Sequence, residues 1–401
     1  MKRVLTLSIA IIICLLSVNT LIAAPDFKVE VGLNGGYTDN LIQDSSARQD
    51  TYSISSLDLN IYPLSFTEIN LKSEYTYYSQ NFGLSNLLYG GGITIIPTNQ
   101  HSPFALYIST NYSDRDYRDN NDTTINRNEF NSNDFNTVLS LGYKISQIWA
   151  IRTGMVYQLT GYNHEEVTDK KTLKLFAGTN LTLLKSNSFD FEIGYNTGNL
   201  EYINAWRTIM DTIIVPTGGI RREDAYSILR DGDLKSYYYS IRLSRQLYQK
   251  NGISLTYSHR SFMDKNEDAI LYGYSSGIIS PWGSEYEGDA ILINAKSYMV
   301  PGLIIKAGFG YFDRAYYNTL EEELVEDPFL METVPVLSTI YTQERNDEQR
   351  KYYISIQKPF LTKSGFKFEP SINLVYTKNT SSIKVYDYSD FSLSSGINIR
   401  F

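Results

Sequence analysis

Apolar side chains recur at every second position along most of this chain, with Ser, Thr, Asn, Gly and charged residues between them. A period of two sends the two sets to opposite faces of an extended strand, so each such stretch predicts a strand with one apolar and one polar face. Phe27, Val29, Val31, Leu33 and Tyr37 mark the first. The second holds Tyr52 and Ile54, slips phase at Ser55 and Ser56, and resumes with Leu57, Leu59 and Ile61, which predicts a bulge. Strands three to nine are marked by Ile69 to Tyr77, Leu87 to Ile95, Phe104 to Tyr112, Phe135 to Tyr143, Trp149 to Tyr157, Leu173 to Leu183, and Phe189 to Tyr195. Strands ten to sixteen follow as Tyr237 to Leu243, Ile253 to Tyr257, a stretch near 289–298 of ambiguous phase, Leu303 to Tyr311, Tyr352 to Ile356, Phe366 to Tyr376, and Phe391 to Phe401.

The count of 16, within a range of 14 to 18, is even, as an antiparallel up-and-down barrel with both termini on one side requires. Connection lengths support it. Turns after even strands are short, as in KISQ, QKNG and MVPG, whereas connections after odd strands are generally longer and reach about 35 residues after strands nine and thirteen. That alternation belongs to membrane barrels, with short turns on one side and long loops on the other. Segments of ~10 to 12 residues at ~3.3 Å each, tilted ~40°, also match an apolar band of ~25 Å. The predicted fold is therefore all-β, a transmembrane antiparallel barrel. Its edges must close, because an open edge in hydrocarbon leaves N–H and C=O groups unpaired at several kcal/mol each.

Composition changes the picture at the N-terminus. Lys2 and Arg3 precede an apolar run from Val4 to Val18 that leads to Ala23 and Ala24, the pattern of a secretory signal peptide. The expected division is a signal over 1–24, cut after Ala23 or Ala24, and a barrel over 25–401. The single cysteine, Cys14, leaves with the signal, so the mature protein is expected to have no disulfide and no thiolate metal site. Loss of Lys2 and Arg3 makes the formal net charge of −8 more negative by two. After residue 24 nothing approaches the ~18 consecutive apolar residues of a membrane helix. Tyr nevertheless accounts for 34 residues, and aromatic residues for 14% of the chain, as expected where rings gather at two membrane interfaces.

The final stretch, SDFSLSSGINIRF, sets Phe391, Leu393, Ile397, Ile399 and Phe401 on one face. It resembles the C-terminal aromatic signal of Gram-negative outer-membrane barrels, which the barrel-assembly machinery recognises. The resemblance implies that machinery, periplasmic chaperones, outer-membrane lipids and lipopolysaccharide as partners. Near the other end, GGYTDNLIQDSSARQDTYSISSLDLNI is similar to the opening of putative β-barrel porins and exopolysaccharide-operon outer-membrane proteins, which implies a role in glycan transport.

Positions between the apolar ones are expected to line the lumen. Basic candidates are Lys28, Lys72, Lys144, Arg152, Lys174, Arg242, Arg260, Lys306, Lys367 and Arg400; acidic ones are Glu30, Asp58, Glu68, Glu74, Asp190, Glu192 and Glu369. So many charges in a dry core would carry heavy desolvation costs, which predicts a hydrated lumen over one occluded by salt bridges and loops. Acidity concentrates in residues 314–347, among them Glu321, Glu322, Glu323, Glu326 and Asp327; there Thr319 as N-cap and Glu322 three residues on predict a short helix. Apolar stretches such as Ile213, Ile214 and Val215, or Ile278 and Ile279, predict that the fifth to seventh loops pack together. The third loop, with Arg115, Asp116, Arg118, Asp119, Arg127 and Glu129, resembles the constriction loop of sixteen-stranded porins in position only, since the Pro-Glu-Phe-Gly signature is absent.

An enzyme is not expected. His101, His164 and His259 fall in separate places; Ser258 and Ser261 lie near His259 in sequence, but strand neighbours point to opposite faces. Outer-membrane phospholipases and proteases resemble one another in placing such groups on smaller barrels. Asp231, Gly232 and Asp233 fall short of a calcium loop, and no cofactor, metal or nucleic-acid signature is present. The readings are a passive or weakly selective channel for small hydrophilic solutes, a glycan export or uptake channel, and a non-conducting receptor, adhesin or scaffold.

Overall fold

Because one face of each strand is apolar and the other polar, the strands can satisfy both faces only by curling the sheet around a polar interior. The computed structural model describes residues 26–41, 47–97, 102–117, 131–162, 169–183, 186–201, 232–248, 250–263, 286–298, 300, 302–316, 323–327, 332–336, 345–362, 366–382 and 384–401. The expected signal peptide and its cleavage site lie outside them. The chain runs through β1 (Asp26–Thr38), β2 (Asp50–Leu64), β3 (Thr67–Tyr78), β4 (Asn86–Ile95), β5 (Phe104–Tyr117), β6 (Ser132–Lys144), β7 (Trp149–Tyr162), β8 (Asp169–Leu183), β9 (Asn187–Glu201), β10 (Gly232–Gln246), β11 (Gly252–Phe262), β12 (Glu287–Ser297) and β13 (Ile304–Tyr316). A separate hairpin, β14 (Glu323–Asp327) and β15 (Glu332–Val336), precedes β16 (Arg345–Gln357), the two-residue β17 (Phe360–Leu361), β18 (Lys367–Ser381) and β19 (Tyr388–Arg400). Without β14, β15 and β17 these are sixteen long strands, each antiparallel to its neighbours, and β1 pairs with β19 to close the barrel.

The closing seam runs in unbroken register from Glu30–Arg400 to Thr38–Ser392, and Phe401 continues it through backbone bonds with Val29 in both directions. Outside, the predicted apolar faces are exposed: Phe27, Leu33, Leu71, Ile193, Leu243, Ile354 and Ile372 among others. Among the described residues the only buried apolar side chains are Phe262, Ala290 and Tyr388, the reverse of a water-soluble protein, in which the apolar residues are inside. No helix among the described residues is long and apolar enough to cross a membrane. The exposed apolar band on a closed sheet takes that part, so the fold is a transmembrane β-barrel.

Three expectations need correction. The phase slip at Ser55 and Ser56 is not a bulge: β1 and β2 stay in register throughout, and the irregularity against β3 falls between Ile61 and Leu64. Tyr52 and Ile54 therefore point into the lumen while Thr51, Ser53 and Ser55 point out. The long connections after β9 and β13, 202–231 and 317–344, are shorter than the pattern indicated because their strands extend beyond the apolar band. The helix after Thr319 does not continue over 323–327, which pairs as a strand with 332–336; β-branched Val325, Thr333, Val334 and Val336 favour that hairpin.

Candidate functional site

Antiparallel partners point to the same side, so the register assigns every side chain to a face. Glu30 pairs with Asp58 and Arg400, Asp58 with Lys72, Lys367 with Arg400, Arg242 with Asp190, and Glu74 with Leu88. All lie opposite the exposed apolar set. By the same parity Lys28, Glu68, Lys144, Arg152, Lys174, Glu192, Arg260, Lys306 and Glu369 face the lumen too.

The inward charges form distinct groups. At the seam, Arg400 Nε binds Glu30 Oε2 at 2.6 Å, Arg400 Nη1 meets Glu369 Oε2 at 3.2 Å, and Lys367 Nζ meets Glu369 Oε1 at 2.7 Å. Lys72 Nζ lies 3.0 Å from Glu74 Oε2 on β3. Across the barrel, Glu192 on β9 collects Arg152 Nη2 at 2.8 Å, Lys174 Nζ at 3.5 Å and a hydrogen bond from the Tyr238 hydroxyl at 2.6 Å. Lys174 Nζ also stands 4.3 Å from the centroid of the Tyr238 ring. This cluster depends on glycines: Gly154, Phe176, Gly194 and Tyr238 form one row across β7 to β10, and a Cβ on Gly154 or Gly194 would overlap the Phe176 or Tyr238 ring. The two rings thus lie flat against the wall.

A third group, on β10, β12 and β13, is basic. Arg242, Lys296 and Lys306 border a cavity of about 600 Å³ near the short turns, and among the described residues none of the three forms an ion pair. Lys296 escaped the sequence reading because the phase of its strand was ambiguous; the neighbours Ile291 and Ile293, both exposed, fix it.

The long-loop end differs. There several polar side chains on and beside β16, β18, β19, β1 and β2 are buried: Asn40, Asp50, Asp347, Asn379 and Asp390 are almost inaccessible. Arg345 binds Asp347 through Nε and Nη2 and lies 3.4 Å from the Tyr386 ring centroid. Asp50 accepts bonds from the backbone of Ser79, Gln80 and Asn81 and from the side chains of Ser79 and Asn81. Arg314, Arg345 and Asp347, expected in the acidic loop, are lumen-facing strand residues. Arg115 and Asp116 belong to β5 rather than to the third loop, on opposite faces; Arg118, Asp119, Arg127 and Glu129 lie outside the described residues. So do most of the acidic loop and the apolar stretches of the fifth and sixth loops.

His259 points outward, where its Nδ1 lies 2.9 Å from Asp289 Oδ1. Ser261, two positions on, shares that face, contrary to the sequence argument; its hydroxyl donates to Glu287 Oε1 at 2.9 Å. Among the described residues no group of three or more His, Cys, Asp or Glu is arranged to hold a metal.

A closed barrel of this strand number, apolar outside and charged within, decides the class. The chain is a sixteen-stranded transmembrane β-barrel with a charged lumen. No family model and no curated protein matches it. It is similar to solved structures at low identity: OccAB1 of Acinetobacter baumannii, 8% identical over 96% of this chain and 98% of that one, with a TM-score of 0.46; a loop L8 deletion mutant of OmpT, an outer membrane protein of Vibrio cholerae, 10% identical over 94% and 99%, TM-score 0.42; and OccD3 (OpdP) of Pseudomonas aeruginosa, 9% identical over 96% and 92%, TM-score 0.42.

Proposed function

We propose that this barrel is a weakly selective channel for small hydrophilic solutes. The observation that carries the reading is the exposure of its inward charges at the short-turn end: the side chains of Arg152 and Arg400 are 49% and 45% accessible. Charged groups that stay accessible inside a sixteen-stranded barrel need water around them. Basic groups there and acidic residues in the loops act in opposite directions on passing ions, which keeps selectivity weak. In planar bilayers the refolded protein is expected to conduct, and joint replacement of Arg152 and Arg242 by Ser to move the reversal potential toward cations in a salt gradient. A folded wild-type barrel without current would favour a non-conducting receptor or scaffold.

A second reading, transport of a glycan, draws on the flat rings of Phe176 and Tyr238 beside Glu192, Arg152 and Lys174. Aromatic faces next to charged hydrogen-bonding groups suit a ligand with apolar C–H faces and hydroxyl edges. Competition of maltodextrins with ion current tests it.

Both termini are proposed to be periplasmic, with the long loops outside the cell. Protease added to intact cells should cut within 317–344; cleavage restricted to the short turns would invert the orientation.

A further inference from the structure

We propose that the basic chamber at the short-turn end is a binding site for a phosphate-bearing solute, held by Arg242, Lys296 and Lys306. The assignment rests on the channel reading for its access route, and on the chamber itself for its chemistry. Lys296 and Lys306 are register partners on β12 and β13, so two like charges stand side by side on one face, an arrangement that destabilises a sheet unless an anion lies between them. Among the described residues the protein supplies none. Asp190, the register partner of Arg242, takes the side-chain amide of Asn180 instead, and the cavity lining contains Arg245 and Lys250 but no carboxylate. In a chain whose net charge is −8, a chamber whose only charged lining residues are cations points to a ligand.

Neutral donors fill the space between the cations. Ser244, Ser254 and Asn294 form one row across β10, β11 and β12, directly beside the level of Lys296 and Lys306. Tyr353 donates its hydroxyl to Asn294 Oδ1 at 2.8 Å, which fixes that amide and leaves its N–H groups for another acceptor. About 600 Å³ is the size of an ordinary small-molecule site. Charge selects the class: one carboxylate would leave two of the three cations uncompensated, whereas a phosphoryl dianion has the charge and the acceptor oxygens for lysine point charges and hydroxyl donors together.

The test is calorimetric titration of the mature barrel in detergent with inorganic pyrophosphate at low salt, folding being checked by heat-modifiable migration. Saturable binding is expected, weakened about tenfold or more in the Arg242→Gln/Lys306→Gln variant and unchanged in Lys72→Gln, which alters the opposite wall. Should the double variant fail to fold, Lys296→Gln alone carries the same expectation at smaller size. No saturable binding by the folded wild type, or equal binding by a folded chamber variant, overturns the site. Tighter binding of succinate than of pyrophosphate overturns the phosphate assignment. Current without pyrophosphate binding would remove the site and keep the channel; binding without current would remove the channel and keep the site.

Discussion

Two arginines on the same inward surface live under opposite rules. Arg345, at the long-loop end, is 2% exposed and locked between Asp347 and the Tyr386 ring; Arg152, near the short turns, is 49% exposed and holds Glu192 through one bond. The first arrangement fixes polar groups against one another along one part of the wall, as does the set of donors around Asp50. The second leaves charge within reach of water and solutes. Polar residues in a barrel therefore serve either as internal structure or as a surface for ligands, and burial rather than residue type separates the two.

Breaking the packed end should have the largest effect. Arg345→Ala leaves Asp347 buried without its ion-pair partner and is expected to cost about 3–5 kcal/mol, read as a fall in the urea midpoint in lipid vesicles. A loss no larger than that of an exposed substitution would mean that the long-loop end is wetter than its geometry. Next comes the seam. Removal of Phe401, whose backbone bonds Val29 and whose ring lies 4.9 Å from that of Phe366, takes away the last rung and the terminal aromatic proposed as an assembly signal with Phe391, Leu393, Ile397 and Ile399. The yield of folded barrel in cells should drop, and an undiminished yield would remove the reason for singling out this residue. The smallest effect belongs to the open end: Arg400→Gln breaks contacts to Glu30 and Glu369, but with the arginine 45% exposed the loss should stay below about 1 kcal/mol.

The barrel was legible in the sequence because lipid enforces a strict period of two on one face, from Phe27 in β1 to Phe401 after β19. The facing of the charges followed from the same parity. What sequence could not convey is the state of the lumen at each level. Nothing in the sequence marks Asn40, Asp50, Asn379 and Asp390 as buried, because a buried hydrogen-bonded side chain has the same letter as a hydrated one. Tyr52 and Ile54 mislead for the converse reason: apolar residues are expected to face lipid, whereas beyond the apolar band the inward Tyr52 ring packs over Gly36 and beside Tyr78. The two rings over Gly154 and Gly194 could have been found only by knowing which residues are paired across strands.

The unbroken register of β1 against β2 and β19 gives the barrel a rule of parity. Inserting one residue into β1 between Val29 and Tyr37 would send its remaining lipid-facing groups inside and its charges into hydrocarbon. Inserting two restores the faces but moves Glu30 off Arg400 by a full repeat. The seam thus admits length changes only in even steps, and the ion pairs around Arg400 mark which even step is native, so the circumference of the lumen is set by counting along the chain rather than by elastic balance.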